Sequence, residues 1–145
     1  MPVVVKVPPL LDDGTPFPTL YWLTCPLALK RIGRLESVGG VKQMERLLES
    51  DPELCAAMDR RHESYAAERD ALVPPDAQLR PQGGVAGLRR GVKCLHAHFG
   101  DYAAGGENPI GALVAPWVEP LDCAMPCVIG AGRDVERNPA WREPK

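Results

Sequence analysis

The chain has 145 residues, of which 45% are hydrophobic and 25% are charged. A chain of this length can bury one core, and its composition excludes wholesale disorder. The formal net charge of −2 supplies neither the basic footprint of a nucleic-acid-binding protein nor a polybasic membrane anchor. We therefore expect one folded domain that binds neither nucleic acids nor membranes.

The N-terminal residues lack the basic and then apolar pattern of a secretory signal. The longest apolar run, residues 110–118, falls short of the about 20 residues that span a bilayer. These features predict a cytoplasmic protein. Five cysteines form an odd set, which in such a protein favours free or metal-bound thiols over a disulfide framework.

Two stretches rich in strand-forming residues occupy positions 3–7 and 19–24. The segment between them is dense in proline and contains an Asp-Asp-Gly turn signature, which predicts an antiparallel hairpin with a long loop. A two-stranded sheet is not stable alone and needs helices packed against it.

Two helices are predicted next. Pro26 suits the first turn of a helix that ends before Gly39 and Gly40. Apolar residues at helical spacing then indicate a second helix, and they are Val41, Met44, Leu47 and Leu48.

The third predicted helix is the longest and runs from about residue 52 to 72, with Pro52 at its first position. Its charged residues, Arg61 and Arg69 among them, predict a solvated and ion-paired face.

Residues 73–91 contain three prolines and four glycines, which is typical of an internal loop. Helical patterns return over residues 90–104 and from Asn108 to about Val118. Past Gly130 the chain is polar and aperiodic, so residues 130–145 are predicted to form a mobile tail. The fold expected is a single α+β domain over residues 1–129, with a small N-terminal β-hairpin packed on about five α-helices.

The run Cys-Leu-His-Ala-His at positions 94–98 is the strongest chemical signal. On a regular helix Cys94 and His98 lie one turn apart and face the same way, whereas His96 lies about 160° from both. Cys94 and His98 are therefore predicted to bind one metal ion, with zinc the best fit for thiolate and imidazole ligands.

Two ligands on one helix make half a site, so further ligands must come from elsewhere. Cys25, where the second strand meets the first helix, is the preferred third ligand. His62 and His96 are weaker candidates, and the pair Cys123 and Cys127 is weaker again. A closed site is structural and an open one can activate water, so the sequence leaves open whether the protein is an enzyme.

Three other functions remain open. Cys94 beside Lys93, with His98 as its base, has the composition of a nucleophilic pair, although no oxyanion hole is apparent. The glycine-rich segment 83–93 carries Arg89, Arg90 and Lys93 towards a helix N-terminus, which suits a non-catalytic module that binds an anion or nucleotide, or simply a flexible loop. The apolar segment 110–128 and the tail would suit a scaffold that contacts a protein partner.

Several stretches together resemble a bacterial family named domain of unknown function 501. They cover residues 2–111 and are residues 8–26, Gly40-Val41, Tyr65-x-x-x-Arg69-Asp70, Gly91-Val-Lys-Cys-Leu-His-Ala-His98 and Asn108-Pro-Ile-Gly111.

The resemblance implies an actinobacterial protein whose gene lies beside cell-division and phosphatase genes, which makes a cell-division partner an expectation. It implies no established activity. It marks Cys25, Cys94, His96 and His98 as family motif positions without giving them roles, and it implies further residues before Pro2.

Overall fold

The computed structural model describes residues 2–144. It confirms the predicted α+β domain, in which a small N-terminal hairpin packs on helices. The hairpin pairs β1 (Val4–Lys6) with β2 (Tyr21–Leu23) antiparallel, Val4 opposite Leu23 and Lys6 opposite Tyr21. Within this described part are five α-helices: α1 (Pro26–Ser37), α2 (Gly40–Ser50), α3 (Pro52–Asp70), α4 (Leu95–Ala103) and α5 (Pro109–Val118).

Proline at the first helical position and polar caps explain where several helices begin. Asp51 caps α3, because its Oδ1 accepts hydrogen bonds from the N–H groups of Glu53 at 3.1 Å and Leu54 at 3.0 Å. Asn108 caps α5 by accepting from the Gly111 N–H at 2.9 Å. Within residues 2–144, no helix has both the length and the apolar character needed to cross a membrane.

Helix α4 lies at the centre of the fold, between the hairpin and α5, and buries Leu95 and Phe99 in the core. Its approach to α5 requires glycine at position 111. A Cβ there would lie 2.4 Å from the Tyr102 Cβ and 2.5 Å from the His98 carbonyl oxygen. Both separations are far below van der Waals contact, so a larger residue would push the two helices apart.

Helix α4 begins at Leu95 and not at about residue 90, as its apolar pattern predicted. Gly91 takes a φ of +77°, a left-handed conformation that breaks a helix. Cys94 is extended, with φ −151° and ψ 121°. Val92 is buried although it lies outside the helix, so the apolar pattern extended past the true helix start.

A second short hairpin, β3 (Val128–Ile129) with β4 (Glu136–Arg137), lies in the C-terminal region. The predicted tail contacts α1 through the Lys30 ammonium, 5.2 Å from the ring centroid of Trp141, and through Arg34, whose Nη2 donates to Glu143 Oε2 at 2.8 Å. The tail's last residue, Lys145, lies outside the described residues.

Two arginines predicted to be solvated on α3 are largely buried. Arg61 donates from Nε and Nη2 to the two carboxylate oxygens of Asp101, at 2.8 and 2.6 Å. Asp101 is 0% exposed and also accepts from Asn108 Nδ2 at 2.9 Å. Arg69 donates to the carbonyl oxygens of Pro18 and Pro81, at 3.3 and 3.4 Å. Hydrogen bonding to Asp101 also raises the pKa of Arg61. Together these bonds connect α3 to α4, to the start of α5 and to the loops.

The Asp101 carboxylate should be indispensable to stability. Asp101→Asn keeps the side-chain shape but leaves the largely buried Arg61 guanidinium with only the partly exposed Glu68, at 3.5 Å, as a counter-charge, so we expect a loss of about 3 kcal/mol in the free energy of unfolding. Urea unfolding measures this loss. Arg90→Ala is the matched control, because Arg90 is 82% exposed in its pair with Asp59 and should contribute less than about 1 kcal/mol. Equal losses in the two variants would contradict the assignment.

His98 is fully buried in the same network. Its Nδ1 lies 3.2 Å from Asn108 Oδ1, which also accepts from Gly111. An amide oxygen only accepts, so Nδ1 carries the proton of a neutral ring. Burial lowers the pKa of His98 to about 4 and also lowers the pKa of His62, whose ring lies 6.0 Å away between centroids.

Stability should therefore fall with acid in a defined range. Below pH 6.5, the ordinary histidine pKa, His98 is protonated in the unfolded chain but stays neutral in the folded chain. This difference lasts until the pH reaches about 4, where the folded chain also binds the proton. We expect the free energy of unfolding to decrease as pH falls through this window, with His98 contributing up to about 3 kcal/mol. Urea unfolding at several pH values should show a smaller decrease in His98→Gln. An identical pH profile in that variant would disprove the contribution.

Candidate metal centre

Three side chains bring potential metal ligands together at the N-terminus of α4. They are Glu36, Cys94 and His96, and one ligand atom of each lies within 4.8 Å of the others. Glu36 lies in the last turn of α1, Cys94 immediately precedes α4, and His96 lies in the first turn of α4. All three are half-buried.

The local backbone explains this meeting. Glu36 Oε1 accepts a hydrogen bond from the Leu95 N–H at 2.7 Å, so α1 supplies a carboxylate to cap the N-terminus of α4. Cys94 is extended and its side chain caps nothing. Its sulfur is therefore free to turn towards His96, and Sγ lies 3.6 Å from Nδ1.

The hydrogen bonds of His96 fix the roles of its two ring nitrogens. Nε2 lies 3.3 Å from the Leu29 carbonyl oxygen, which can only accept, so Nε2 carries a proton. Nδ1 faces Cys94 Sγ at 3.6 Å and Glu36 Oε1 at 3.3 Å. A nitrogen that faces a sulfur and a carboxylate needs either a proton or a cation between itself and them.

Without a metal, the proton takes that place. The hydrogen bond to Cys94 raises the pKa of His96 to about 9 despite the opposing effect of burial, and the charge of Glu36 and the Leu29 carbonyl add to the rise. His96 is then an imidazolium at neutral pH.

The structure does not bring the predicted trio of Cys25, Cys94 and His98 into one ligand group among the described residues. His98 lies in the interior on Asn108. Cys25 is half-buried against the core at the end of the hairpin. The trio depended on Cys94 lying inside a regular helix, and because α4 begins at Leu95, Cys94 meets His96 instead.

His62 is engaged at both ring nitrogens. Its Nδ1 accepts from the Val85 N–H at 3.2 Å, and its Nε2 therefore donates to the Gly91 carbonyl oxygen at 3.1 Å. Cys123 and Cys127 are half-buried free thiols of the C-terminal region, and neither belongs to the ligand group.

Glu36 is the member of this group that the sequence did not reveal. A glutamate in the last turn of a helix lies at the negative end of the helix dipole, which is an unfavourable position. That placement is the one signal in the sequence that Glu36 has a partner beyond its own helix.

The three cations of the glycine-rich segment point in different directions. Arg89 lines a pocket of about 390 Å³ with Arg69 and Arg80, Arg90 pairs with Asp59 at 3.1 Å, and Lys93 lines a different pocket with Cys94. They do not converge on one place where an anion would bind.

A pocket of about 750 Å³ is lined by Tyr21, Arg61 and Glu68 among others, and by none of the three side chains of the ligand group. Its principal polar groups are already paired with one another or with the interior. Tyr21 donates to Glu68, Arg61 binds Asp101, and burial together with Glu68 raises the pKa of Tyr21 to about 12. Tyr21, Arg61 and Glu68 are therefore engaged in contacts that hold the fold together.

The model of one protein family, described as a protein of unknown function (DUF501), matches residues 1–116. The chain belongs to this family. The resemblance inferred from the sequence motifs is thereby confirmed, and the matched residues include Glu36, Cys94 and His96. No curated protein and no solved structure gives a significant match.

Proposed function

We propose that this DUF501 protein binds one zinc ion through Glu36, Cys94 and His96, with a fourth position left for water or a ligand. The observation that carries the proposal is the position of His96 Nδ1, which faces the sulfur at 3.6 Å and the carboxylate at 3.3 Å. Zinc bonds of roughly 2.0–2.3 Å at tetrahedral angles place neighbouring ligand atoms about 3.3–3.6 Å apart. The two distances from Nδ1 match this spacing.

The surrounding hydrogen bonds support the same proposal. Histidines that bind metals almost always donate their other ring N–H to a carbonyl or carboxylate, and carboxylate ligands are hydrogen-bonded in turn. His96 Nε2 has the Leu29 carbonyl oxygen at 3.3 Å, and Glu36 Oε1 has the Leu95 N–H at 2.7 Å. Both ligands are thus oriented before a metal binds.

A nucleophilic Cys94 paired with His96 fits the contacts less well. In a cysteine protease-like relay, the sulfur and the orienting acid contact opposite nitrogens of the imidazole ring. Here both contact Nδ1, and the opposite nitrogen binds a backbone carbonyl. That arrangement favours a shared cation over a proton relay.

Three protein ligands and one open position are typical of catalytic zinc sites, whereas structural sites are closed by four. We therefore extend the proposal to a site that can activate water for hydrolysis. The five cysteines are all free thiols, and we propose the reducing cytoplasm as the compartment in which the site works.

Metal analysis tests the proposal directly. The full chain, loaded with zinc and then freed of excess by gel filtration, should retain close to one zinc per chain. Cys94→Ala and His96→Ala should each reduce retention to near zero, because a site with two ligands holds zinc weakly. Cys55→Ala is the matched control, since Cys55 is another half-buried free thiol outside the ligand group. No retained zinc in the unaltered chain, or full retention in Cys94→Ala, would contradict the proposal.

Glu36 should separate metal binding from helix capping. Glu36→Gln keeps a side-chain oxygen that can accept from the Leu95 N–H, but it replaces a carboxylate ligand with a weaker amide ligand. We expect the melting temperature of the metal-free chain to change little and the affinity for zinc to fall at least about 10-fold. Competition with a chromogenic chelator measures the affinity. An unchanged zinc affinity would show that Glu36 serves as a cap alone.

A further inference from the structure

A pocket of about 490 Å³ opens beside the ligand group. Cys94 and His96 form part of its wall, and the apolar side chains of Trp22, Leu29 and Ala97 form much of the rest. This volume lies in the range of small-molecule sites, which are typically apolar with a few polar groups at one end. Cys94 and His96 thus lie at the edge of a largely apolar cavity.

The apolar wall is held in place and still exposed to solvent. Trp22 is 50% exposed, lies opposite Val5 in the hairpin, and packs on Phe17 with ring centroids 5.6 Å apart. When a ligand covers a half-exposed aromatic side chain, apolar surface is removed from water, and this burial favours binding. The wall is therefore preformed to gain free energy from an apolar ligand.

The position of the three ligands determines which way the metal would face. Cys94 and His96 line the pocket, whereas Glu36 does not. A metal held by all three would have the carboxylate behind it, and its open position would face the pocket. Lys93 lines the same pocket, is exposed, and forms no salt bridge with any of residues 2–144. It offers a positive charge to an anionic head group.

We infer that this pocket binds a small amphiphilic acid, one aromatic ring or a short acyl chain attached to an anionic oxygen head group. The head group completes the metal coordination beside Lys93, and the apolar body lies against Trp22 and Leu29. This inference rests on the proposed zinc site for the head group, and on the cavity itself for the apolar body.

Hydroxamates test the inference, because they bind zinc and cobalt through anionic oxygens and differ only in the attached group. The cobalt-loaded full chain is titrated with acetohydroxamate and with benzohydroxamate, and the visible absorption of the cobalt reports binding. Covering the phenyl ring should make benzohydroxamate bind about 10- to 100-fold more tightly. Lys93→Gln should weaken both compounds by a similar factor, since it removes a charge that both head groups share.

Variants of the wall identify the source of the preference. Trp22→Ala should abolish the preference for benzohydroxamate, and Leu29→Ala, which leaves the backbone carbonyl in place, should reduce it. The spectrum of the unliganded cobalt protein verifies that each variant is folded at the site. Trp117→Ala is the matched control, because Trp117 is a 70% exposed tryptophan on α5 that does not line this pocket. It should keep the full preference.

The outcomes separate the pocket from the metal. Equal affinity for the two hydroxamates, or a preference that survives both Trp22→Ala and Leu29→Ala, overturns the inference and leaves the zinc site standing. If cobalt and zinc do not bind, the proposed function fails. The apolar body is then tested by benzoate and acetate titrations of the metal-free chain, followed by tryptophan fluorescence. A Trp22-dependent response to benzoate alone supports the pocket, and no response overturns it.

Discussion

The hydrogen bond from the Leu95 N–H to the Glu36 carboxylate fixes where α4 begins, and the arrangement around the candidate metal centre follows from that point. The bond joins the last turn of α1 to the first turn of α4. It keeps Cys94 outside the helix, in an extended conformation from which its sulfur reaches His96. This one capping contact therefore brings the Glu36 carboxylate, the Cys94 thiol and the His96 imidazole together.

Two polar clusters of α4 illustrate how burial decides between structure and chemistry. In the interior, Asp101 and Asn108 satisfy Arg61 and one nitrogen of His98, so that a fully buried charge is paired and hydrogen-bonded. The opposite nitrogen of His98 has no partner among the described residues, and burial keeps that ring neutral. Near the surface, His96 faces two groups that attract a cation. The first cluster holds the helices together, whereas the second contains side chains that could bind a metal ion.

Much of the fold could be predicted because its signals are local. Proline in the first turn marked the beginnings of α1, α3 and α5, and strand-forming residues around a proline-rich loop marked the hairpin. The beginning of α4 was predicted wrongly, because Val92 extends the apolar pattern although the backbone turns at Gly91. Arg61 was predicted to lie at the surface because the carboxylate that pairs with it, Asp101, is distant in sequence.

The candidate site was only half visible in the sequence for the same physical reason. The motif that contains Cys94 and His96 is visible in the sequence. The contact between these two side chains, however, depends on a backbone conformation that helical periodicity does not encode. Glu36 approaches from another helix, and no spacing rule connects it to residue 94. The sequence therefore predicts zinc with Cys94 and His98 as ligands, whereas the fold buries the His98 side chain in the interior.

X-ray absorption spectroscopy at the zinc edge of the zinc-loaded full chain tests the central claim most directly. We predict a first shell of one sulfur at about 2.3 Å with nitrogen and oxygen ligands at about 2.0–2.2 Å, and an imidazole contribution from His96. A first shell without sulfur, or one with two or more sulfurs, would contradict a site built from Glu36, Cys94 and His96.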